Sequence, residues 1–206
     1  MTPDDVATFE RCISVGGVAL FPADTVYGLA TEPESRDGVF RLYELKGRPP
    51  ERPAAVMFFQ LDLALEALPE LGPRTRAAVE VLLPGALTLL VPNPARRFPL
   101  ACGPVPERLG LRVPALTGAL APLEEVRWPV LQSSANPSGG ADARRLADVD
   151  DRIRRGVDLQ LDGGELPGTP STVVDLTGYE YSGEHAIVRE GAVPGTRVAA
   201  ALSGSA

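Results

Sequence analysis

Apolar segments of strand length alternate with amphipathic helical segments in the first half of the sequence, and further strand-like segments follow closely on one another in the second half. Strands separated by helices favour parallel pairing, whereas closely spaced strands favour antiparallel pairing. This pattern predicts an α/β fold, a single-domain twisted mixed sheet with flanking helices. The length of 206 residues is enough for one core, and we place the domain at residues 1–195.

Capping signals mark the first two predicted helices. Thr2 is suited to cap a helix with Pro3 at its first position, and Ser35 is suited to cap a second helix. The apolar stripe of the second helix is predicted to comprise Val39, Phe40, Tyr43 and Leu45. Between the two helices we predict a strand at residues 17–21 and an irregular loop at residues 22–34.

The rest of the chain is predicted from short apolar runs and turn residues. Further strands are expected at residues 54–59, 86–91, 109–114, 129–134, 157–162, 171–176 and 185–190. Helices are expected at residues 61–68 and 73–83, and Asp142 is interpreted as the cap of a helix that runs through Arg154 and Arg155. Residues 196–206 are expected to form a tail that begins as a short helix and ends frayed.

The few histidine and cysteine residues restrict the chemistry. His185 is the only histidine, and a zinc site or a Ser/His relay usually needs a histidine with partners. We therefore expect no protein metal site and no such relay. Cys12 and Cys102 lie far apart in the sequence, neither has a second cysteine nearby, and we interpret both as buried thiols.

The net charge of −7 argues against nonspecific binding along duplex nucleic acid, for which a basic face is the usual footprint. Small anionic substrates are compatible with this charge if the cations cluster locally. The N-terminus lacks the basic and apolar stretches of a signal peptide, and no apolar run approaches the length of a membrane span. We therefore expect a cytoplasmic protein that does not contact membranes.

Lys46 is the only lysine among the 20 basic residues of the chain. A composition that replaces lysine by arginine wherever any cation is acceptable explains the arginines, and chance could explain the exception. The functional alternative is that position 46 requires a compact ammonium where a flat guanidinium would not fit. Lys46 begins the proline-rich stretch KGRPPERP, which is too broken to be a helix.

Several loop or strand-end segments have more polar groups than a connection requires. They are residues 22–30, 46–53, 112–114 and 133–140, and the pair 171–175 and 189–192. Each segment also has an ordinary structural explanation. Lys46 and Arg48 could complement the C-terminus of a helix, and residues 133–140 could be a turn-rich loop.

Taken together and in this order, the segments resemble the YrdC-like family, the threonylcarbamoyl-AMP synthases that supply the activated group for threonylcarbamoyladenosine in tRNA. Lys46 and Arg48 match the KxR pair of the family, and Ser134 and Asn136 match its SxN pair. The similarity extends over residues 17–192 and includes the runs DTVYGL, LPG, RVP, STVV and REG. It implies that these segments line one concave, locally positive groove.

The resemblance also implies the reaction and the roles of the residues. Threonine, bicarbonate and ATP with Mg²⁺ would give threonylcarbamoyl-AMP and pyrophosphate, by nucleotidyl transfer without a side-chain nucleophile. The implied catalytic residues are Lys46, Arg48, Ser134 and Asn136. The implied ATP-binding residues are Lys46, Arg48, Arg52, Ser134, Asn136 and Arg189. The implied substrate-binding residues are Thr25, Tyr27, Arg112, Ser133, Ser171 and Thr172.

Four positions depart from the pattern of the family. Ala23 and Met57 replace polar groups on the expected amino-acid side, while Arg52 and Asp142 change the charge on the nucleotide side. We therefore expect relaxed selectivity for threonine. A divergent paralogue that acts on another carbamoylated compound is one alternative, and a noncatalytic nucleotide- or RNA-binding protein is another. The macromolecular partner would be tRNA or the tRNA-modifying transferase.

Overall fold

Nine strands form one mixed sheet in the computed structural model, which describes residues 1–204. The strands are β1 (Ala19–Pro22), β2 (Tyr27–Thr31), β3 (Ala55–Met57), β4 (Leu87–Pro92), β5 (Arg108–Arg112), β6 (Val130–Ser134), β7 (Leu159–Gln160), β8 (Thr172–Asp175) and β9 (Ala186–Arg189). Their order across the sheet is β7-β1-β2-β6-β3-β5-β4-β8-β9. The predicted mixed α/β fold is confirmed.

Helices connect and flank these strands. They are α1 (Pro3–Ser14), α2 (Arg36–Lys46), α3 (Leu61–Ala67), α4 (Pro73–Leu82), α5 (Pro99–Cys102), α6 (Asp151–Gly156), α7 (Tyr179–Ser182) and α8 (Gly195–Ser203). Short 3₁₀ segments lie at Gly118–Glu125 and Leu146–Asp148. No helix in the described part of the chain is long and apolar enough to cross a membrane.

The first two helices begin where their capping residues predict. The Thr2 hydroxyl accepts a hydrogen bond from the Asp5 amide, and the Asp5 carboxylate accepts one from the Thr2 amide, which completes a capping box. The Ser35 hydroxyl accepts from the Gly38 amide at the start of α2. Gly47 ends α2 in the left-handed region at φ 58°, which glycine adopts without a steric penalty.

The pairing pattern joins distant segments at the centre of the sheet. Strand β3 is parallel to β5 and antiparallel to β6, and β4 is antiparallel to β5 and parallel to β8. The core contains a cluster of aromatic rings, in which the centroid of Phe9 lies 5.2 Å from that of Phe21 and 5.7 Å from that of Phe59. Such contacts hold α1 against the sheet.

Strand β2 lies within residues 22–34, where we had predicted only a loop. It pairs antiparallel with β1 on one side and with β6 on the other, and all five of its residues are buried. A strand covered on both faces lacks the alternation of polar and apolar residues by which strands are predicted. The turn residues Asp24 and Thr25 concealed it further, since they form only the short connection of the β1–β2 hairpin.

The predicted stripe of α2 is wrong at Phe40, which is 68% exposed. The buried residues of this helix are Gly38, Val39, Leu42, Tyr43 and Lys46. The spacing of 39, 42, 43 and 46 follows one helical face, and position 40 lies outside that face.

The predicted helix cap at Asp142 is also wrong. Residues 137–145 contain no α-helix, and Asp150 caps α6 by accepting a hydrogen bond from the Arg152 amide at 2.8 Å. Two glycines in this loop, one of them Gly139 at φ 82°, favour an irregular backbone over a helix. Asp142 is therefore free to take part in the site described below.

The C-terminal segment forms helix α8, which buries Val198 and Leu202 against the rest of the chain. The ordered fold thus continues past residue 195, and the predicted frayed end at residues 205–206 lies outside the described residues. Cys102 is buried as predicted, Cys12 is half-buried, and neither forms a disulfide. Burial raises the pKa of the Cys12 thiol to about 11.

Candidate active site

One face of the sheet contains a cavity of about 370 Å³ over strands β3, β4, β5, β6, β8 and β9. Its floor follows the alternation of side chains along the strands, so Arg108, Gly110 and Arg112 of β5 all face it. Because Arg108 and Arg112 are four residues apart on one strand, the cavity extends over about 13 Å between them. It therefore has room for an elongated ligand with two differently bound ends.

A buried ion pair forms one end of the cavity. Arg112 Nη2 lies 2.5 Å from Asp24 Oδ1, and both side chains are 5% exposed. The same nitrogen donates to Thr25 Oγ1 at 2.6 Å. Arg112 Nε is buried and has no hydrogen-bond partner in the described part of the chain. Arg112 lines the cavity, and a guanidinium at a cavity wall is suited to bind a carboxylate.

Hydroxyl groups and a second arginine lie at the neighbouring strands. The hydroxyls of Thr88 and Ser171 are 2.8 Å apart, and both residues line the cavity. Arg189 Nη2 donates to the Ser171 carbonyl oxygen at 2.7 Å. The side chain of Ser171 is thereby held between β4 and β9, with Arg189 at the mouth of the cavity.

A hydrogen-bonded cluster around Lys46 supports the other end. The Lys46 ammonium donates to the Asn136 carbonyl oxygen at 2.7 Å, to Asn136 Oδ1 at 3.0 Å and to the Ser134 carbonyl oxygen. The Ser134 hydroxyl donates to Asn136 Oδ1 at 2.6 Å, and Asn136 Nδ2 donates to the Gly140 carbonyl oxygen at 2.5 Å. All three protons of the ammonium are used, so Lys46 fastens α2 to the loop that follows β6.

Lys46 is only 2% exposed, and this environment affects its charge. Burial, together with the nearby Arg48 guanidinium, lowers the pKa of Lys46 from 10.5 to about 8, although the charge of Asp142 acts in the opposite direction. Because the ammonium supplies one proton to each of three acceptors, its loss of a proton would remove one of these three hydrogen bonds.

Arg48 hydrogen-bonds within the proline-rich stretch that follows Lys46. Arg48 Nη2 donates to the Pro53 carbonyl oxygen, and Arg48 Nε lies 3.4 Å from that of Arg52. The Tyr43 hydroxyl donates to the Arg52 carbonyl oxygen at 3.0 Å. These bonds, with the prolines, hold the loop rigid while the half-buried Arg48 lines the cavity.

Four arginines and one carboxylate give the cavity its charge. The arginines that line it are Arg48, Arg108, Arg112 and Arg189, and the carboxylate is Asp142. The pair with Asp24 offsets the charge of Arg112, but the lining as a whole is cationic. A locally positive cavity in a chain of net charge −7 is suited to a small anionic ligand.

A protein-family model matches residues 11–191 of this chain; the family is named Sua5_yciO_yrdC and described as "Telomere recombination". The chain belongs to the Sua5/YciO/YrdC family. Its similarity to the YrdC-like synthases, predicted from the sequence motifs, is thereby confirmed.

Two relatives of the family are named threonylcarbamoyl-AMP synthase. The protein of Pseudomonas aeruginosa strain UCBPP-PA14 is 34% identical over 171 residues, which covers 81% of this chain and 89% of the relative. That of Pyrococcus abyssi is 31% identical over 169 residues, which covers 80% of this chain and 48% of the relative. This chain thus spans about half of the archaeal relative and most of the bacterial one.

A solved Sua5 structure has the same fold. The crystal structure of Pyrococcus abyssi Sua5 complexed with L-threonine superimposes with a TM-score of 0.82 at 26% identity, and the match covers 98% of this chain and 58% of that chain. The agreement includes the twisted sheet on which the cavity lies.

The motifs of the family meet at the cavity, but not every predicted residue lines it. Those that line it are Arg48, Arg112, Ser133, Ser134, Ser171 and Arg189. Lys46 and Asn136 lie behind this surface in the cluster described above. Thr25 is buried against Arg112, and Arg52 is exposed outside the cavity, 3.4 Å from the Ser138 hydroxyl.

Two predicted substrate residues have structural partners instead. The Tyr27 hydroxyl lies 2.9 Å from Asp162 Oδ1 and accepts from the Gly163 amide at 3.0 Å, and burial raises its pKa to about 12. Thr172 Oγ1 donates to the Val193 carbonyl oxygen at 2.6 Å. Neither residue lines the cavity. Their hydrogen bonds hold the loops that surround it.

The two apolar departures from the family pattern lie in the core. Ala23 and Met57 are both fully buried and do not line the cavity. Met57 nevertheless pairs directly with Arg112 across β3 and β5, so the neighbour of Arg112 in the sheet is a thioether. Of the two charged departures, Asp142 lines the cavity and Arg52 lies outside it.

Arg108 and Gln132 were not among the predicted site residues, although both line the cavity. The signal for Arg108 was present in the sequence RLGLR, where alternation along β5 places residues 108, 110 and 112 on one face. Gln132 precedes the SxN motif by two positions, and the alternation of β6 places it on the same face as Ser134. Periodicity within the known motifs would have found both residues.

Proposed function

We propose that the protein makes threonylcarbamoyl-AMP from L-threonine, bicarbonate and ATP, with release of pyrophosphate, for the modification of tRNA. The observation that carries the proposal is the cavity with two unlike ends, a buried Arg112 at one and Arg48 with the Ser134 loop at the other. This arrangement suits a ligand with a carboxylate at one end and a nucleotide at the other. Membership of the family and the names of the relatives support the same activity.

In this reaction the amine of threonine combines with bicarbonate to give a carbamate and water. A carbamate oxygen then attacks the α-phosphorus of ATP, the bond from that phosphorus to the bridging oxygen of pyrophosphate breaks, and pyrophosphate leaves. The chain needs no nucleophile of its own. Its part is to align the two substrates and to neutralise the charge on the phosphates, which can supply most of the catalysis in such transfers.

Each end of the cavity has a distinct part in this proposal. Arg112, aided by Ser171, binds the carboxylate of the amino acid. Arg48, Arg108 and the hydroxyl of Ser134 bind the nucleotide, while Lys46 holds the loop of Ser134 in position. Arg189 at the mouth neutralises the phosphate that leaves.

Magnesium would enter with ATP. The cation is commonly bound by one or two carboxylates together with the phosphates of the substrate, and Asp142 is the carboxylate that lines the cavity in the described part of the chain. The residues present therefore fit the ion, which would offset phosphate charge when bound.

The test is to incubate the protein with ATP, magnesium, bicarbonate and threonine and to detect threonylcarbamoyl-AMP and pyrophosphate in equal amounts. Omission of any one substrate should abolish both products. ATP with magnesium should also raise the unfolding temperature, because a ligand that binds only the folded state stabilises it. Absence of the adenylate together with a flat ATP titration would refute the proposal.

We expect the affinity for ATP to fall as the pH rises through about 8, the pKa of Lys46. Below this pH the ammonium is charged and donates to all three acceptors on residues 134–136; above it, the neutral amine has fewer protons than acceptors. Calorimetry with a nonhydrolysable ATP analogue across this pH range would measure the change. A variant with Lys46→Arg does not titrate there, so its weaker binding should not decline with the same midpoint.

Selectivity for threonine is expected to be modest. Met57, the direct neighbour of Arg112 across the sheet, is fully buried and does not line the cavity, so this position supplies no polar group to the hydroxyl of threonine. An apolar pocket separates near-isosteres by about a hundredfold, whereas a pocket that hydrogen-bonds a hydroxyl can separate them by about ten thousandfold. We expect a preference for threonine over valine below about a thousandfold in pyrophosphate release. A larger preference would show that another polar group binds the hydroxyl.

A further inference from the structure

Gln132 occupies the floor of the cavity between its two ends. The residue is only 4% exposed, and what remains accessible opens into the cavity. Its direct neighbours across the sheet are Ala30 on β2 and Ala55 on β3. Both neighbours present only methyl groups, so neither can pair with the amide of Gln132.

The side-chain amide of Gln132 forms no hydrogen bond with another group of residues 1–204. A primary amide offers two N–H donors and an oxygen with two lone pairs, and buried polar groups in proteins are almost always paired. Other polar side chains around the cavity, such as Ser171 and Asn136, do have protein partners. The Gln132 amide is not among the fully enclosed polar atoms that lack a partner, so it is accessible from the cavity and available to a ligand there.

Gly28 provides the space that this amide occupies. A Cβ atom built at Gly28 would lie 2.7 Å from Gln132 Nε2, closer than such contacts occur in real structures. Strand β2 therefore needs a residue without a side chain at this position for Gln132 to keep its place.

The position of Gln132 selects one part of the proposed ligand. Ala55 pairs with Gln132 on one side and with Gly110 on the other, so Gln132 lies in the middle row of the floor. Arg112 lies two residues beyond Gly110 on β5, towards the carboxylate end, and Ser134 lies two residues beyond Gln132 on β6, towards the nucleotide end. The group that connects an amino acid to an adenylate is the carbamate, and it would lie over this middle row.

We propose that the side-chain amide of Gln132 recognises the HN–C=O edge of the substrate's carbamate. The Oε1 oxygen of Gln132 accepts the carbamate N–H, and Nε2 donates to a carbamate oxygen, which gives two parallel hydrogen bonds. The second carbamate oxygen is left free to face the α-phosphorus. This assignment rests on the proposed function and makes Gln132 a residue that orients the substrate and selects N-carboxylated amines over free amines.

The test is a binding measurement that does not depend on turnover. N-carbamoyl-L-threonine is a stable compound whose terminal CO–NH2 group also presents an HN–C=O edge, whereas L-threonine lacks such an edge and keeps the carboxylate. For Gln132→Leu, calorimetry should show a loss of affinity for N-carbamoyl-L-threonine of about tenfold to a hundredfold, as expected for two hydrogen bonds. Its affinity for L-threonine should change by less than about twofold, since L-threonine makes neither bond.

Two further variants separate recognition from folding. Gly28→Ala should weaken N-carbamoyl-L-threonine binding although Gln132 itself is not substituted, because the added methyl group displaces its amide. The double variant Gly28→Ala with Gln132→Leu should bind this compound no more weakly than Gln132→Leu alone. The control is Gln160→Leu, a glutamine on an exposed part of β7, which should bind both compounds as the wild type does. Thermal unfolding would show that each variant is folded.

Three outcomes of the binding measurements would overturn the assignment. They are equal losses for both compounds in Gln132→Leu, no loss for either compound, and no measurable binding of N-carbamoyl-L-threonine by the wild-type protein. Failure of the proposed function is a separate result, because it would show as absence of threonylcarbamoyl-AMP from the wild type whatever the binding data. A wild-type protein that makes the adenylate and a Gln132→Leu variant with an unchanged bicarbonate dependence would retain the function and refute the role of Gln132.

Discussion

Replacing Arg112 with methionine is expected to lower the free energy of unfolding by about 3 to 5 kcal/mol. The variant would leave the Asp24 carboxylate 5% exposed and without its cation, and a buried charge without its partner is strongly destabilising. The Ala115 amide, which donates to Asp24 Oδ2 at 3.2 Å, would be its principal remaining partner. Denaturant titration of wild type and variant would measure the difference.

A double variant distinguishes the charge from the packing. Asp24→Asn together with Arg112→Met removes both charges, so it should recover much of the lost stability. It should not recover binding of L-threonine, because the carboxylate site is still absent. If the double variant were as unstable as Arg112→Met alone, packing would be the main contribution of Arg112. If either variant bound L-threonine with wild-type affinity, Arg112 would not be the carboxylate-binding residue.

Lys46→Arg is expected to reduce kcat/KM by about a hundredfold or more, a loss of about 2.7 kcal/mol in transition-state stabilisation, although the charge is unchanged. The ammonium of Lys46 lies among three acceptors, two of them at 2.7 and 3.0 Å, and the residue is only 2% exposed. A guanidinium is larger and planar, and its donors diverge in one plane. It would displace the loop of Ser134 and Asn136, and with it the nucleotide.

The matched control is the opposite exchange at an exposed residue of the same helix. Arg36 is the first residue of α2, it is exposed, and it does not line the cavity, so Arg36→Lys should retain wild-type kcat/KM. Affinity for a nonhydrolysable ATP analogue should fall in Lys46→Arg and stay constant in Arg36→Lys. Normal turnover by Lys46→Arg would mean that the single lysine of this chain reflects its composition and not a requirement for an ammonium.

The elements that the sequence predicted well are those that local interactions stabilise. Helix α1 follows from Thr2 and Pro3, and the end of α2 follows from Gly47, because a cap acts within a few residues of its own position. Strand β2 could not be predicted in the same way. Its burial on both faces comes from β1 and β6, and its own five residues carry no alternation that would indicate this.

The site was predicted in part for a similar reason. The motifs identified the residues around the cavity, including Arg48, Arg112 and Ser134, since those residues keep their type and order along the chain. They did not indicate that Lys46 faces the loop after β6 and not the cavity. They also did not distinguish Tyr27, which is bonded to Asp162, from residues that face a ligand.

The amino-acid sequence alone determined the caps of α1 and α2, the apolar segments, the α/β class and the set of polar segments from which the site is made. The tertiary structure decided which of these groups meet. The bond from Lys46 to Asn136 joins residues 90 positions apart, and that from Arg112 to Asp24 joins residues 88 positions apart. Such contacts depend on the order and register of the strands, which the whole core selects at once. A local pattern indicates which residues share one face of a strand, but it left open which neighbours those residues would have, such as Ala30 and Ala55 beside Gln132.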